Sequence, residues 1–250
     1  WWMAISWSLW LLVGVGTVAA LRVSPLPASA RHQRPLGWER GLRGGAGVAR
    51  MTTTLITNKM CPFAQKAWIA LEEKKAADGV AFELEEIGLY GSGGKPAWFL
   101  KMNPKGLVPV LKHNERVVVE SDDILKYVDE AVGTPGGLSQ GQGASVETWF
   151  EILARLRASG KERVLGYGSA SSLKAALLEV EGAIQGPYLK GEHFSLADIA
   201  AAPFFQRMMT EQDKLGLRKD LHPKIFAWWA LVRERPSFAR TVVEPWWWWW

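Results

Sequence analysis

The stretch CPFAQKAW, Cys61 to Trp68, holds the chain's single cysteine and places a proline directly after it. Proline suits the first position of a helix, where its missing N–H would have had no partner anyway. Ala64, Ala67, Trp68 and Leu71 then recur at the i, i+3, i+4, i+7 spacing of one helical face. The pattern predicts a helix over 61–77, ended by Gly79. Thr52–Thr57 precedes it as a β-branched run that reads as a strand. A thiol therefore opens a helix immediately after a strand.

Outward from this segment the strand and helix signals alternate. Val80, Phe82 and Leu84 alternate with polar residues, as a half-buried strand would. Ala97–Met102 reads as a short helix after Lys95-Pro96. Val108–Leu111 and Arg116–Glu120 are apolar runs separated by a hairpin-length interval, 112–115. Ser121–Ala131 returns to helical periodicity through Ile124, Leu125 and Val128, with Ser121 as the expected N-cap. The order β-α-β-α-β-β-α over 51–132 describes a small α/β sandwich. Gly-rich residues 133–144 read as a linker. From 145 to 245 the strand signals stop. Four helices are marked by Val146–Leu156, Leu173–Ile184, Leu196–Met209 and Ile225–Val232, the third mostly apolar and therefore central, with Pro236 limiting the fourth.

The net charge of +5 belongs to the leader. Residues 22–50 hold six arginines and one acid, Glu39, whereas 51–250 hold 24 basic and 24 acidic residues. Nothing in that balance suggests a nucleic-acid surface. Residues 1–50 are expected to lie outside the folded domain. The apolar run Leu9–Leu21 resembles a signal-peptide core, and the Arg-, Gly-, Ala- and Pro-rich segment after it resembles a transit segment. Together they imply a bipartite plastid leader, although no Lys or Arg precedes the apolar run. The alternatives are the secretory pathway and an uncleaved anchor, the one route by which the chain would meet a membrane. Seven of the fifteen tryptophans stand at positions 1–2 and 246–250. These runs have no packing logic; the tract 246–250 is read as non-native.

One cysteine excludes an internal disulfide and a zinc site built from cysteines. Four scattered histidines show no ligand spacing, so no metal is expected. A helix N-terminus offers free N–H groups and the positive end of the macrodipole, so a thiol there is expected to ionise more easily. Lys66 either adds to that field or points into water. Position 64 is alanine, so no resolving cysteine follows. A lone thiol that attacks a disulfide must be released by an outside thiol, glutathione being the obvious candidate. The competing reading is an inert cysteine capping a helix.

Three further segments bear on a ligand. In NPKGLVPVL, 103–111, Pro109 is either an edge-strand residue or follows a cis peptide, and only about 5–6% of X–Pro bonds are cis. Glu120-Ser121-Asp122 stands at a strand-to-helix junction, where free N–H groups hold a carboxylate and Glu120 pairs an ammonium; a plain helix cap is the simpler alternative. Ser195-Leu-Ala-Asp198 reads as a structural capping box.

Taken together, CPFAQKAWI, KPAWFLKMNPKGLVPVL, ESDDILKYVDE and GPYLKGEHFSLADIAAAPFFQRM, spread over 52–245, resemble the cysteine-type glutathione transferases. The lambda class fits best, with the omega and dehydroascorbate-reductase-like classes next. The resemblance implies a thioredoxin-like domain followed by an all-helical one. It implies that Cys61 forms a mixed disulfide with glutathione and that Phe63 lies against it. Lys95 would reach the glycyl end, within a glycine-rich loop. Val108 would offer its backbone beside a cis Pro109, and Glu120 and Ser121 would hold the γ-glutamyl group. Ser195 and Asp198 would be structural. The implied activity is thiol transfer or deglutathionylation, with glutathione as co-substrate, no metal, and small disulfides or glutathionylated molecules as substrates. Dehydroascorbate reduction at the same site is the enzymatic alternative, and a carrier of small aromatic ligands the non-catalytic one. The resemblance also implies a monomer.

Overall fold

The computed structural model describes residues 52–88, 94–141 and 143–243. The expected leader and the terminal tryptophan tract lie outside the described residues.

Strand β1 (Thr53–Thr57) leads through Asn58–Cys61 into helix α1 (Pro62–Asp78). Pro62 takes the first helical turn, as its fixed φ favours. Gly79 closes the helix at φ 69°, donating to Lys75 O at 3.1 Å, a left-handed end that suits glycine. β2 (Glu83–Glu86) pairs parallel to β1, with Leu84 opposite Leu55. Val80 and Phe82 pack against the core as their alternation predicts, but the ladder begins only at Glu83. After α2 (Ala97–Met102), β3 (Val110–His113) and β4 (Arg116–Val119) form a hairpin. Its two-residue turn has Asn114 at φ 55°, a conformation asparagine tolerates. β3 lies antiparallel to β1, so the sheet order is β2-β1-β3-β4. Helix α3 (Ser121–Ala131) buries Ile124, Leu125 and Val128 against α1.

One expectation here is corrected. Ser121 does not cap α3: Glu120 occupies the cap position at φ 65°, without a side-chain cap bond, and Ser121 is the first helical residue. The abrupt turn out of β4 uses the left-handed conformation at Glu120, which shifts the helix start by one residue.

The second half is helical: α4 (Val146–Val164), α5 (Ala170–Ala183), α6 (Leu196–Thr210), α7 (Gln212–Leu215), α8 (Pro223–Arg233) and α9 (Pro236–Ala239). Ser145 and Ser169 cap α4 and α5 with their hydroxyls. α6 is buried along nearly its whole length, as its composition predicts. Asp198 is fully buried there and accepts from Ser195 N, Ser195 Oγ, Leu189 N and Trp228 Nε1 at 2.8–2.9 Å. In α8 the fully packed tryptophan is Trp228, edge-on to Phe205 at 5.0 Å, while Trp229 is half-buried. The short helices α7 and α9 carry too few residues for a periodic signal.

α1 joins the two halves, packing on α3 of the first and on α6 and α9 of the second. A single large apolar cluster runs through both halves. Polar clamps reinforce it. Arg235 reaches Glu73 at 2.8–3.1 Å with its guanidinium 4.0 Å from the Phe194 ring centre. Gln65 of α1 donates to Gln206 at 2.7 Å and to Thr241 at 3.2 Å. A smaller cluster of Ile56, Ala64, Ile87, Phe99, Val108 and Val110 lies at the carboxyl end of β1, with Cys61 at its rim.

Candidate active site

Cys61 is the cap residue of α1, in an extended conformation (φ −82°, ψ 118°) that turns β1 into the helix. Its N–H donates to Asn58 O at 2.9 Å, closing the connecting turn. Across the site Sγ stands 4.0 Å from Val108 O, at the outer limit for sulfur. The Val108–Pro109 peptide is cis. The segment before it is stapled by Asn103, whose Nδ2 donates to Leu107 O at 2.8 Å and whose Oδ1 accepts from Lys105 N at 3.3 Å.

A cavity of about 350 Å³ opens here. It is lined by Cys61, Phe63, Lys95, Asn103, Gly106, Leu107, Val108, Pro109, Glu120 and Ser121. The structure thus brings together all seven residues that the sequence nominates for thiol chemistry and glutathione. Ser195 and Asp198, read as structural, stand apart from it in α6. The Lys95 chain runs along Gly106: a β-carbon there would meet Lys95 Cδ at 3.0 Å and Nζ at 3.1 Å. Gly106 also has φ +64°, a backbone conformation that favours glycine. Glu120 carries an exposed ion pair with Lys105 Nζ at 2.8 Å.

The electrostatics correct the expectation that position alone makes the thiol acidic. Burial pushes the Cys61 pKa up from its ordinary value. The N–H groups of Ala64 and Phe63, then Arg207 and Lys66, pull the other way without prevailing. Lys66 does not point into water. It is fully buried, bonded to Asp122 on α3, and desolvation lowers its pKa to about 8 against the pull of Asp122.

Arg207 escaped the sequence reading, although a lone arginine in an otherwise apolar helix is a visible signal. Its guanidinium donates to Gln65 Oε1 at 3.0 Å, Pro203 O at 2.7 Å and Met60 O at 2.9 Å. Burial lowers its pKa to about 10, with the Cys61 thiolate opposing. It thus ties α6 to the turn that holds the thiol. Arg157 of α4 was also missed. It follows the apolar stripe at Leu153+4, and its guanidinium carbon lies 5.5 Å from the Phe63 ring centre and 5.1 Å from that of Phe204.

A four-stranded mixed sheet with a cis-proline before β3, packed against a helical half, defines a protein of the two-part kind with a thioredoxin-like first domain. Comparison with known proteins agrees. The family profile "Glutathione S-transferase, N-terminal domain" matches residues 60–131, and "Glutathione S-transferase, C-terminal domain" matches 170–236. The chain is 32% identical to glutathione S-transferase L3 of Arabidopsis thaliana, over 78% of this chain and 83% of that protein. It is 30% identical to glutathione S-transferase DHAR3, chloroplastic, of the same plant, over 74% of this chain and 69% of the relative. Among solved structures, glutathione transferase Omega 3C from Trametes versicolor superposes with a TM-score of 0.63 at 25% identity, covering 77% of this chain and 84% of that one. The protein belongs to the glutathione transferase family.

Proposed function

We propose that this protein is a glutathione-dependent thiol transferase that works through a Cys61–glutathione mixed disulfide. The observation that carries this reading is the placement of the chain's only thiol inside a cavity shared with Phe63, Lys95, Val108, Pro109, Glu120 and Ser121. Lys95 neutralises the glycyl carboxylate of glutathione. The Val108 backbone takes the cysteinyl peptide. The first turn of α3, with the Ser121 N–H and hydroxyl, takes the γ-glutamyl carboxylate, and Glu120 takes its ammonium in exchange for Lys105.

The Cys61 thiol gives up its proton as its sulfur attacks the glutathione sulfur of a mixed disulfide. The old S–S bond breaks, and the departing thiolate carries away the electron pair and takes up a proton. Glutathione thiolate then attacks the Cys61–glutathione disulfide, releasing oxidised glutathione and the free enzyme. Buried Arg207 and Lys66 stabilise the thiolate at both stages. Conjugation of glutathione to electrophiles is expected to be weak, because a thiol in this place captures glutathione rather than activating it.

Turnover of the glutathione–2-mercaptoethanol disulfide, abolished in Cys61→Ala, is the expected result. Failure of the wild type to turn it over refutes the reading. The relative named DHAR3 favours a second reading at the same cysteine, dehydroascorbate reduction. Glutathione-dependent loss of dehydroascorbate at a comparable rate would establish it. Residues 1–50 we take as a targeting leader, 51–132 as the glutathione-binding domain, 133–144 as linker and 145–245 as the helical domain. Plastid import of a reporter fused to 1–50 tests the destination, for which three relatives named chloroplastic give support. Among the described residues no helix is long and apolar enough to cross a membrane.

A further inference from the structure

Helix α3 starts without a side-chain cap bond from Glu120, so its first N–H groups stay available to the carboxylate of a ligand. The same feature leaves its first turn without the fastening that a capping side chain gives. The buried apolar residues of α3 begin only at Ile124. Two acids follow Ser121. Asp123 is exposed, whereas Asp122 bonds the Lys66 ammonium. Lys66 is fully buried in α1, the helix that Cys61 opens, with Nζ 5.7 Å from the Phe63 ring centre and 6.0 Å from that of Phe150. Enclosed in this way, the ammonium is a fixed post for the start of α3. An acid next to Ser121 would by itself repel an incoming carboxylate, and a buried ammonium alone would cost stability. Pairing answers both charges and leaves a link between the thiol's helix and the helix start across the site.

We propose that Asp122, anchored by Lys66, is a positioning residue for glutathione: the pair holds the first turn of α3, and Ser121 with it, at the distance from Cys61 that the γ-glutamyl end requires. This rests on the transferase reading above and adds how the two ends of its site are kept in register. The lining of the Cys61 cavity includes Ser121 but neither Lys66 nor Asp122, so the pair acts through Ser121.

The test compares two disulfides on the full chain at pH 7. Oxidised glutathione carries the γ-glutamyl carboxylate; the disulfide of 2-mercaptoethanol carries no charge. Both react by one step: the Cys61 sulfur attacks, the disulfide breaks, and one thiol departs with the electron pair and the Cys61 proton. Intact mass gives the second-order rate of each. Their ratio cancels any change in thiolate reactivity, because both disulfides meet the same sulfur. Lys66→Met/Asp122→Asn removes the tie with no change in net charge and strands no buried ion, so its Tm is expected to stay close to wild type. Its ratio, glutathione over 2-mercaptoethanol, is expected to fall about tenfold, the scale of one displaced charge-assisted hydrogen bond. Should the double variant not fold, Asp122→Asn alone decides by sign. A positioning role lowers the ratio, whereas removing a carboxylate that only repels the ligand raises it. An unchanged ratio in the double variant, or a rise in Asp122→Asn, overturns the positioning role and leaves the transferase intact. Wild-type protein that takes up no glutathione overturns both together.

Discussion

Replacing Lys66 with methionine isolates the energetics of the buried ammonium. Lys66 has no solvent exposure, and its one ion-pair partner, Asp122, keeps 37% of its side-chain surface in water. Burial lowers the lysine pKa from 10.5 to about 8. Between those values the unfolded chain still binds the proton that the folded chain has released. Stability therefore rises with pH across that window, and the cost of burying the charge is fully present below it. Integrating from pH 7 to pH 10 gives a gain of about 2–3 kcal/mol from this one group. Lys66→Met has no such proton to lose, and its Asp122 remains solvated. Unfolding by urea at pH 7, 8, 9 and 10 on both proteins cancels the titration of the groups that do not face Lys66. At pH 7 the variant is expected to equal or exceed the wild type, as when a buried pair gives way to an apolar residue. By pH 10 the difference is expected to have moved toward the wild type by the amount above. Parallel profiles would refute the reasoning, because they would mean that Lys66 titrates alike in both states.

Arg207→Gln removes a buried cation that stabilises the Cys61 thiolate, so the pH profile of Cys61 alkylation by iodoacetamide is expected to move to higher pH. Asp198→Ala strands the N–H groups of Leu189, Ser195 and Trp228. A loss of about 3–5 kcal/mol is expected, a fall in Tm of roughly 10 °C or more by calorimetry. Glu120→Gln is expected to leave Tm unchanged, because the pair with Lys105 is exposed, yet to raise the KM for glutathione about tenfold by weakening the ammonium contact.

Much of the architecture was legible because it rests on local signals. Pro62 fixes the start of α1, and Ile124, Leu125 and Val128 fix the buried face of α3. Ser195 with Asp198 marks the start of α6. These are contacts between residues three or four apart, which periodicity reports directly. The positive φ of Glu120 was not legible: nothing in ESDD distinguishes a serine at the cap from one a position later. Nor was the cis Val108–Pro109 peptide visible in the residues alone; only the resemblance led to expecting it. The surroundings of Cys61 were the least legible. Whether a helix N-terminus lowers a thiol's pKa depends on how much water it keeps, and Arg157, Arg207 and Phe204 come from helices about a hundred or more residues away. The sequence shows their chemistry, but only the packing of α4 and α6 onto α1 brings them to the site.

The central claim is that Cys61 takes up glutathione and gives it back. Intact mass of residues 51–245 after incubation with oxidised glutathione, beside a Cys61→Ala control, reads this without ambiguity because the chain has one cysteine. The account predicts one added glutathione on the native protein, none on the control, and full loss of the adduct when reduced glutathione is supplied. An unmodified native protein whose Cys61 reacts only after denaturation would contradict it and leave a buried, inert thiol.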